Sequence, residues 1–410
     1  MFRLIRVPPS LDQLFRPWNG SFHGDHCTSF RLLVVGMAVM WGRRHVANLD
    51  RDLEAKPHRP RFHQFLLVAR WAPVAALRQQ AQEWVRALRP AKGETSSWRM
   101  DDAKPANRGK TMAAVATRND PTLDADIRGH QDVCGRRLFP GQVLPGGLRL
   151  SGKTAPWAAV ALPCQNTTAL AAPLLREFPA PVGVQGLVLV ETSDRCPPVV
   201  TACRDKRCHV ASTVKSHRRL FTPGWQLTAG RSGRQLCRRR RTASRVGTTP
   251  HGRARCRVVD AGGLTVSSLG PLPVVFARNG AARKSLGLVT DAPERSAAGL
   301  IQADDRRWDI APWITDPTPR LGLGHDQPRS SWAAVTPRQL VCVASALLTH
   351  RRLHPAGAPG HRRCATAADL STATAQDQRR CRLWEDLRTS LKEEGPDHAV
   401  IEELKRLHVA

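Results

Sequence analysis

The segment 184–190, VQGLVLV, is the feature that most constrains this chain. Short apolar runs without a polar face read as strands buried on both sides. A helical pattern precedes it at 167–178, interrupted by Pro173, and another follows at 199–206. A further strand is predicted at 209–214. Strand and helix in alternation place this part of the chain in the α/β class.

Upstream, residues 1–95 are expected to be mainly helical. Leu32, Val35, Ala38 and Val39 recur at helical spacing, and Val46, Leu49 and Leu53 follow. A second amphipathic stretch runs over 65–88 through Leu66, Leu67, Val74, Leu77, Ala81, Trp84, Val85 and Leu88, and Pro90 closes it. From residue 96 short strands and helices are expected. Strands are predicted at 112–116 and at 142–150, the latter interrupted by Pro145, Gly146 and Gly147. Residues 215–285 are basic and turn-rich, with strands expected at 256–259, 264–266 and 273–276. A strand at 286–290, a helix from 297 to Pro312 and a helix at 339–350 complete the pattern. Residues 354–366 read as a linker, and 383–407 as a charged amphipathic helix broken at Gly395 and Pro396. The composition shifts divide the chain into 1–95, 96–214, 215–285, 286–352 and 353–410.

Charge narrows the class of partner. The 410 residues carry 63 Lys+Arg against 34 Asp+Glu, a net charge of +29, with a pI near 11.2. Such a balance favours a polyanionic partner, most simply nucleic acid. A GC-rich coding strand produces Arg-rich chains as well. The eleven Cys show no C-x-x-C pair, which excludes a disulfide-dense scaffold. Their odd number, with no cleavage pattern after Arg3 and Arg6, points to a reducing cytoplasmic setting. The longest apolar run, 32–41, is too short to span a bilayer, so no membrane is expected. Tyr is absent although there are 11 Trp and 10 Phe.

Four motifs bear on chemistry. GLRLSGKT at 147–154 satisfies the phosphate-loop pattern, which needs a strand, then a loop, then a helix opening at the Lys. It would support an ATPase. Cys196, Cys203, Cys208 and His209 lie close together but lack the tight pairs of zinc sites, so buried thiols are expected. Arg238 to Arg241 form a run within a segment that also holds Arg231, Arg234, Arg245, Arg253, Arg255 and Arg257. A solvated loop and a phosphate-contacting surface both fit that run. Finally, Asp101 and Asp102 end one predicted strand and Glu191 ends the strongest one. Carboxylates at neighbouring strand ends can share divalent metal ions.

With these residues in view, the chain resembles a bacterial insertion-sequence transposase with a DDE-type catalytic domain. The resemblance is carried by MDDAKPANRGKTMAAVA (100–116), by VLVETSDRCPPVVTACRDKRCHVASTVKSHRRL (188–220) and by LGLVTDAPERSAAGLIQADDRRWDIAPWI (286–314). WAAVTPRQLVCVASALLTH (332–350) supports it. It implies a ribonuclease-H-like α/β fold, a mixed sheet flanked by helices. An N-terminal helical region for DNA-end binding would precede it, and a β-rich insertion at 215–285 would contact transposon DNA.

The resemblance also implies catalytic positions. The first carboxylate falls on Asp101 or Asp102, with Asp102 favoured. The second is Glu191, where Asp is usual, followed by Ser193 and Asp194 where the family has aromatics. The third motif, Y-x2-R-x3-E-x6-K, falls on Asp304, Arg307, Ala311 and Thr318, of which only Arg307 matches. The family's Mg²⁺ (or Mn²⁺) ions would rest on Asp102 and Glu191. Ala311 cannot ligate a metal, and Glu191 is one methylene longer than Asp in a site that tolerates about half an ångström. Pro312, Pro317 and Pro319 fall where the catalytic helix should run, each costing about 3 kcal/mol inside a helix. DNA contacts are expected from Arg218, Arg219, Arg238, Arg239, Arg240 and Arg241. The reading is thus a transposase-family protein for double-stranded transposon ends, impaired in catalysis and with room for a homodimer. Alternatives are a DNA-binding remnant or a chain that does not fold stably. The missing Tyr coincides with family positions at Ser193 or Asp194, Asp304 and Asp326.

Overall fold

The computed structural model describes residues 15–22, 24–39, 45–52, 59–69, 73–88, 95–107, 112, 114–120, 124–139, 142–151, 167–178, 185–190, 197–222, 224–239, 243–249, 252–267, 270–279, 285–292, 294–305, 321–325 and 331–353. The expected linker at 354–366 and tail helix at 383–407 lie outside them.

The centre is a mixed sheet. Strand β1 (Thr95–Ala103) pairs in parallel with β6 (Gln185–Val190), which pairs in parallel with β7 (Cys208–Val214). On its other side β1 pairs antiparallel with β4 (Gln131–Phe139), and β4 with β5 (Gln142–Ser151). A small separate hairpin, β2 (Ala116–Asp120) and β3 (Ala125–Gly129), interrupts the chain between β1 and β4. Leaving that hairpin aside, the five strands lie in the order third, second, first, fourth, fifth. This is the order of a ribonuclease-H-like sheet, and helices flank it.

The insertion extends the same sheet. Strands β8 (Arg219–Thr222), β9 (Trp225–Thr228), β10 (Ala243–Thr249), β11 (Gly252–Val266) and β12 (Gly270–Asn279) precede β13 (Leu286–Thr290), which returns antiparallel along β7. The path continues β13–β12–β11–β8–β9, with β10 paired to β11.

Nine α-helices are found among the described residues, after a 3-10 helix at Arg16–Ser21. They are α1 (Asp25–Val39), α2 (Val46–Asp52), α3 (Arg59–Val68), α4 (Pro73–Leu88), α5 (Thr167–Glu177), α6 (Pro197–Asp205), α7 (Ala229–Arg239), α8 (Ala297–Asp305) and α9 (Ser331–Leu353). Alternation along the strands decides which helix covers which face. Met100, Val188, Val190 and Val210 pack with Leu174 of α5 and with Val199 and Ala202 of α6. Leu187, Leu189 and Ala211 occupy the opposite face, against Leu300, Ile301 and Ala303 of α8. A Cβ on Gly147 would lie 2.9 Å from Leu174 Cδ1, so glycine there lets α5 sit close to β5. Gly147 also holds φ +130°, which a side chain rarely adopts.

The N-terminal helices share this core. Helix α1 is buried at every residue from Leu32 to Val39, all round rather than along the single stripe that Leu32, Val35, Ala38 and Val39 marked. Leu77, Ala81 and Trp84 turn inward from α4, and Trp84 Nε1–H donates to His350 Nδ1 of α9 at 3.4 Å. Phe22 and Phe30 contact at a centroid distance of 4.7 Å, with Phe15, Trp18 and Phe65 around them. Helix α9 is joined to β4 by a buried ion pair: Arg338 Nε donates to both Asp132 oxygens, at 3.0 and 3.3 Å.

Several expectations change. The strand expected at 112–116 is not found among its described residues: Ala114 sits in a turn at φ 63°, and β2 begins only at Ala116. The stretch 65–88 is two helices, the second opening on Pro73, a favoured first helical position. The helix expected at 339–350 is the inner part of the longer α9. The phosphate-loop pattern fails where it can be tested. Residues 147–151 are paired strand β5, not a loop, and Gly147 serves helix packing. Cys203 and Cys208 are buried free thiols, as expected. Among the described residues no helix is long and apolar enough to cross a membrane.

Candidate functional site

The site to test lies at the carboxyl ends of β1 and β6, where parallel α/β sheets place ligands. Register puts Arg99 beside Leu189, so both strands end at the same edge. Glu191 follows the last residue of β6 and lies outside the described residues, as do Arg307, Ala311, Thr318, Arg240 and Arg241.

The pleat separates the two β1 carboxylates. Arg99 pairs with Leu189, so Asp101, two residues on, belongs to the face covered by α8. Asp102 pairs with Val133 and belongs to the face of Trp98 and Met100. Asp304 is buried on α8. Asp101, rather than the favoured Asp102, therefore shares a sheet face with α8, which carries Asp304.

Each carboxylate is engaged by the chain itself. Arg99 Nη2 donates to Asp101 Oδ2 at 2.6 Å, and the Asp102 backbone N–H donates to Asp101 Oδ1 at 3.1 Å. Asp102 Oδ2 accepts from Gln131 Nε2 at 2.7 Å and lies 3.6 Å from Lys104 Nζ. Burial raises the pKa of Asp101, and Arg99 offsets part of that rise. Burial lowers Arg136, close by, to about 10. It also lowers Arg118, which the charge of Asp102 partly counters.

The raised pKa has a signed consequence. A group that binds its proton more tightly when folded contributes stability below its ordinary pKa, here 3.8. That contribution is lost as pH rises through the folded pKa. The stability of the wild type relative to Asp101→Asn should therefore be highest in acid and decline toward neutral pH. Thermal melts of both proteins at stepped pH check the sign; a difference that grows with pH would contradict it.

These groups do not fit a two-metal clamp. The β1 carboxylates diverge to opposite faces, both hold cationic or amide donors, and Ala311 offers no oxygen. Among the described residues no three His, Cys, Asp or Glu side chains gather closely enough to hold a metal ion.

The basic segment takes a form that sequence reading missed. Part of the Arg run is helical: Arg238 is exposed on α7 and Arg239 ends it. Ala229, Ser232, Gly233 and Cys237 turn inward onto Val274, Phe276 and Val289. Arg231, Arg234 and Arg238 turn outward. Small residues at 229, 232, 233 and 237 against Arg at 231, 234 and 238 were the available helical signal. Arg219 is exposed at the start of β8, whereas Arg218 is half-buried and donates to the Ser267 carbonyl at 3.0 Å. Asp260 is the sole acid between 215 and 285.

No known protein-family model matches this chain, and no curated protein matches it.

Proposed function

We propose that the chain is a transposase-type protein that binds double-stranded DNA and does not cut it. The observation that carries this reading is α7, which presents Arg231, Arg234 and Arg238 on one exposed face of a strongly basic insertion. Three guanidinium groups over about 10 Å of helix match the rise of roughly three base pairs. Arg pairs well with phosphate oxygens and, through backbone contacts alone, reads no base sequence. The resemblance in 100–116, 188–220 and 286–314 supplies the transposon-end partner, a cytoplasmic, nucleoid-associated setting and an optional homodimer. Ala311 and the cation-bound β1 carboxylates oppose strand cleavage through Mg²⁺ or Mn²⁺.

The test uses the purified full chain and a duplex, in a filter-binding salt series with and without Mg²⁺. Binding should weaken steeply with salt, and the duplex should remain intact. Absence of binding at low salt would sink the DNA reading, and nicked product dependent on Mg²⁺ would sink the claim of inactivity.

A further inference from the structure

We propose that Arg99 is the resident counter-ion of Asp101 and holds the end of β1 as a structural ion pair closed to divalent cations. The two residues stand at i and i+2 of one strand, so the pleat itself puts them on one face. Their side chains are 7% and 17% exposed, and the contact is 2.6 Å. The second Asp101 oxygen is taken by the Asp102 backbone N–H.

Mg²⁺ binds carboxylate oxygens at about 2.0–2.1 Å within a near-octahedral shell. A guanidinium on Oδ2 stands in the way of that approach. Arg136, buried nearby, adds a repulsive positive charge. On the opposite face Gln131 donates to Asp102 Oδ2, and Lys104 Nζ lies 3.6 Å from the same oxygen. The strand end is thus balanced from within.

Withdrawing Asp101 from water is costly, and the adjacent cation offsets that cost. Removing Arg99 alone takes the largest compensating charge from the carboxylate and leaves it the Asp102 N–H and the weaker charge of Arg136, whereas removing both charges does not. This inference rests on the ion pairs and not on the DNA reading, so a chain that fails to bind DNA leaves it standing.

The test has two arms. In the first, the wild-type chain is titrated with Mn²⁺ and the free-ion paramagnetic resonance signal is followed. No stoichiometric site is expected. In the second, urea unfolding at neutral pH compares Arg99→Met with Arg99→Met/Asp101→Asn. The single variant should lose stability and the double should recover most of it. One equivalent of Mn²⁺ held by the wild type and lost in Asp101→Asn would overturn the proposal. So would a double variant no more stable than the single. If Arg99→Met does not fold, the Mn²⁺ titration of the wild type still decides.

Discussion

Replacing Arg338 by Met should destabilise the chain by roughly 3–5 kcal/mol, the cost of removing one partner of a buried ion pair. Asp132 is 0% exposed and Arg338 1%. The pair joins α9 to β4 through two hydrogen bonds, and Arg338 also donates to the Ala334 carbonyl within its own helix. Met keeps most of the side-chain volume, so the loss reports the charge rather than a cavity. Helix α9 also carries Leu340, Val341, Val343 and Leu347 into the same core as the N-terminal helices. The effect should therefore appear as a cooperative loss over the whole chain. Denaturant unfolding followed by circular dichroism measures it. Arg338→Met/Asp132→Leu should be closer to wild type than Arg338→Met is, since apolar replacement of a whole buried pair is often tolerated. A single variant as stable as the wild type would show that the pair is not buried in solution.

The second large effect concerns DNA. Arg231→Gln/Arg234→Gln/Arg238→Gln should flatten the dependence of log K on log salt by roughly 2.7, about 0.9 for each phosphate that is no longer neutralised. Affinity should fall similarly for duplexes of unrelated sequence, because phosphate recognition carries no base information. The three residues lie on the exposed side of α7, so the fold should survive. Arg204→Gln, exposed on α6, is the charge control and should leave the slope unchanged. An unaltered slope in the triple variant would place the DNA surface elsewhere.

The elements legible in the sequence were those whose pattern is set by local periodicity. β6, β7 and β13 are short apolar runs, and α5 and α6 repeat at helical spacing. The structure places each within a residue or two of the expected bounds. The element that escaped notice most completely is β4, the neighbour of the central strand. Its residues QDVCGRRLF include three charges, which argue locally against a buried strand. All three are nevertheless buried. Asp132 meets Arg338, and Arg137 lies 4.7 Å from the Trp98 ring centroid. Arg136 interacts with Cys134 and Cys342. Arg338, Cys342 and Trp98 come from elements distant in the chain or across the sheet, so no local window contains most of the compensation.

Helix α7 escaped for another reason. Its density of Arg suggested a loop, while its small residues gave only a thin apolar face. Gly233 approaches Phe276 so closely that an added Cβ would lie 2.8 Å from the ring, and this close seating on the sheet stabilises the helix.

By itself the sequence determined the α/β class, the central strand pair, the basic character of the insertion and the two acids at the end of β1. Those properties follow from residue type and from spacing along one element. Only the tertiary structure decided that the insertion continues the main sheet. It also decided that Asp101 and Asp102 part to opposite faces, and that Arg99 and Gln131 engage them. Pleat direction depends on register with β4 and β6, and burial of charge depends on partners brought from far along the chain. Neither can be written in a local run of residues.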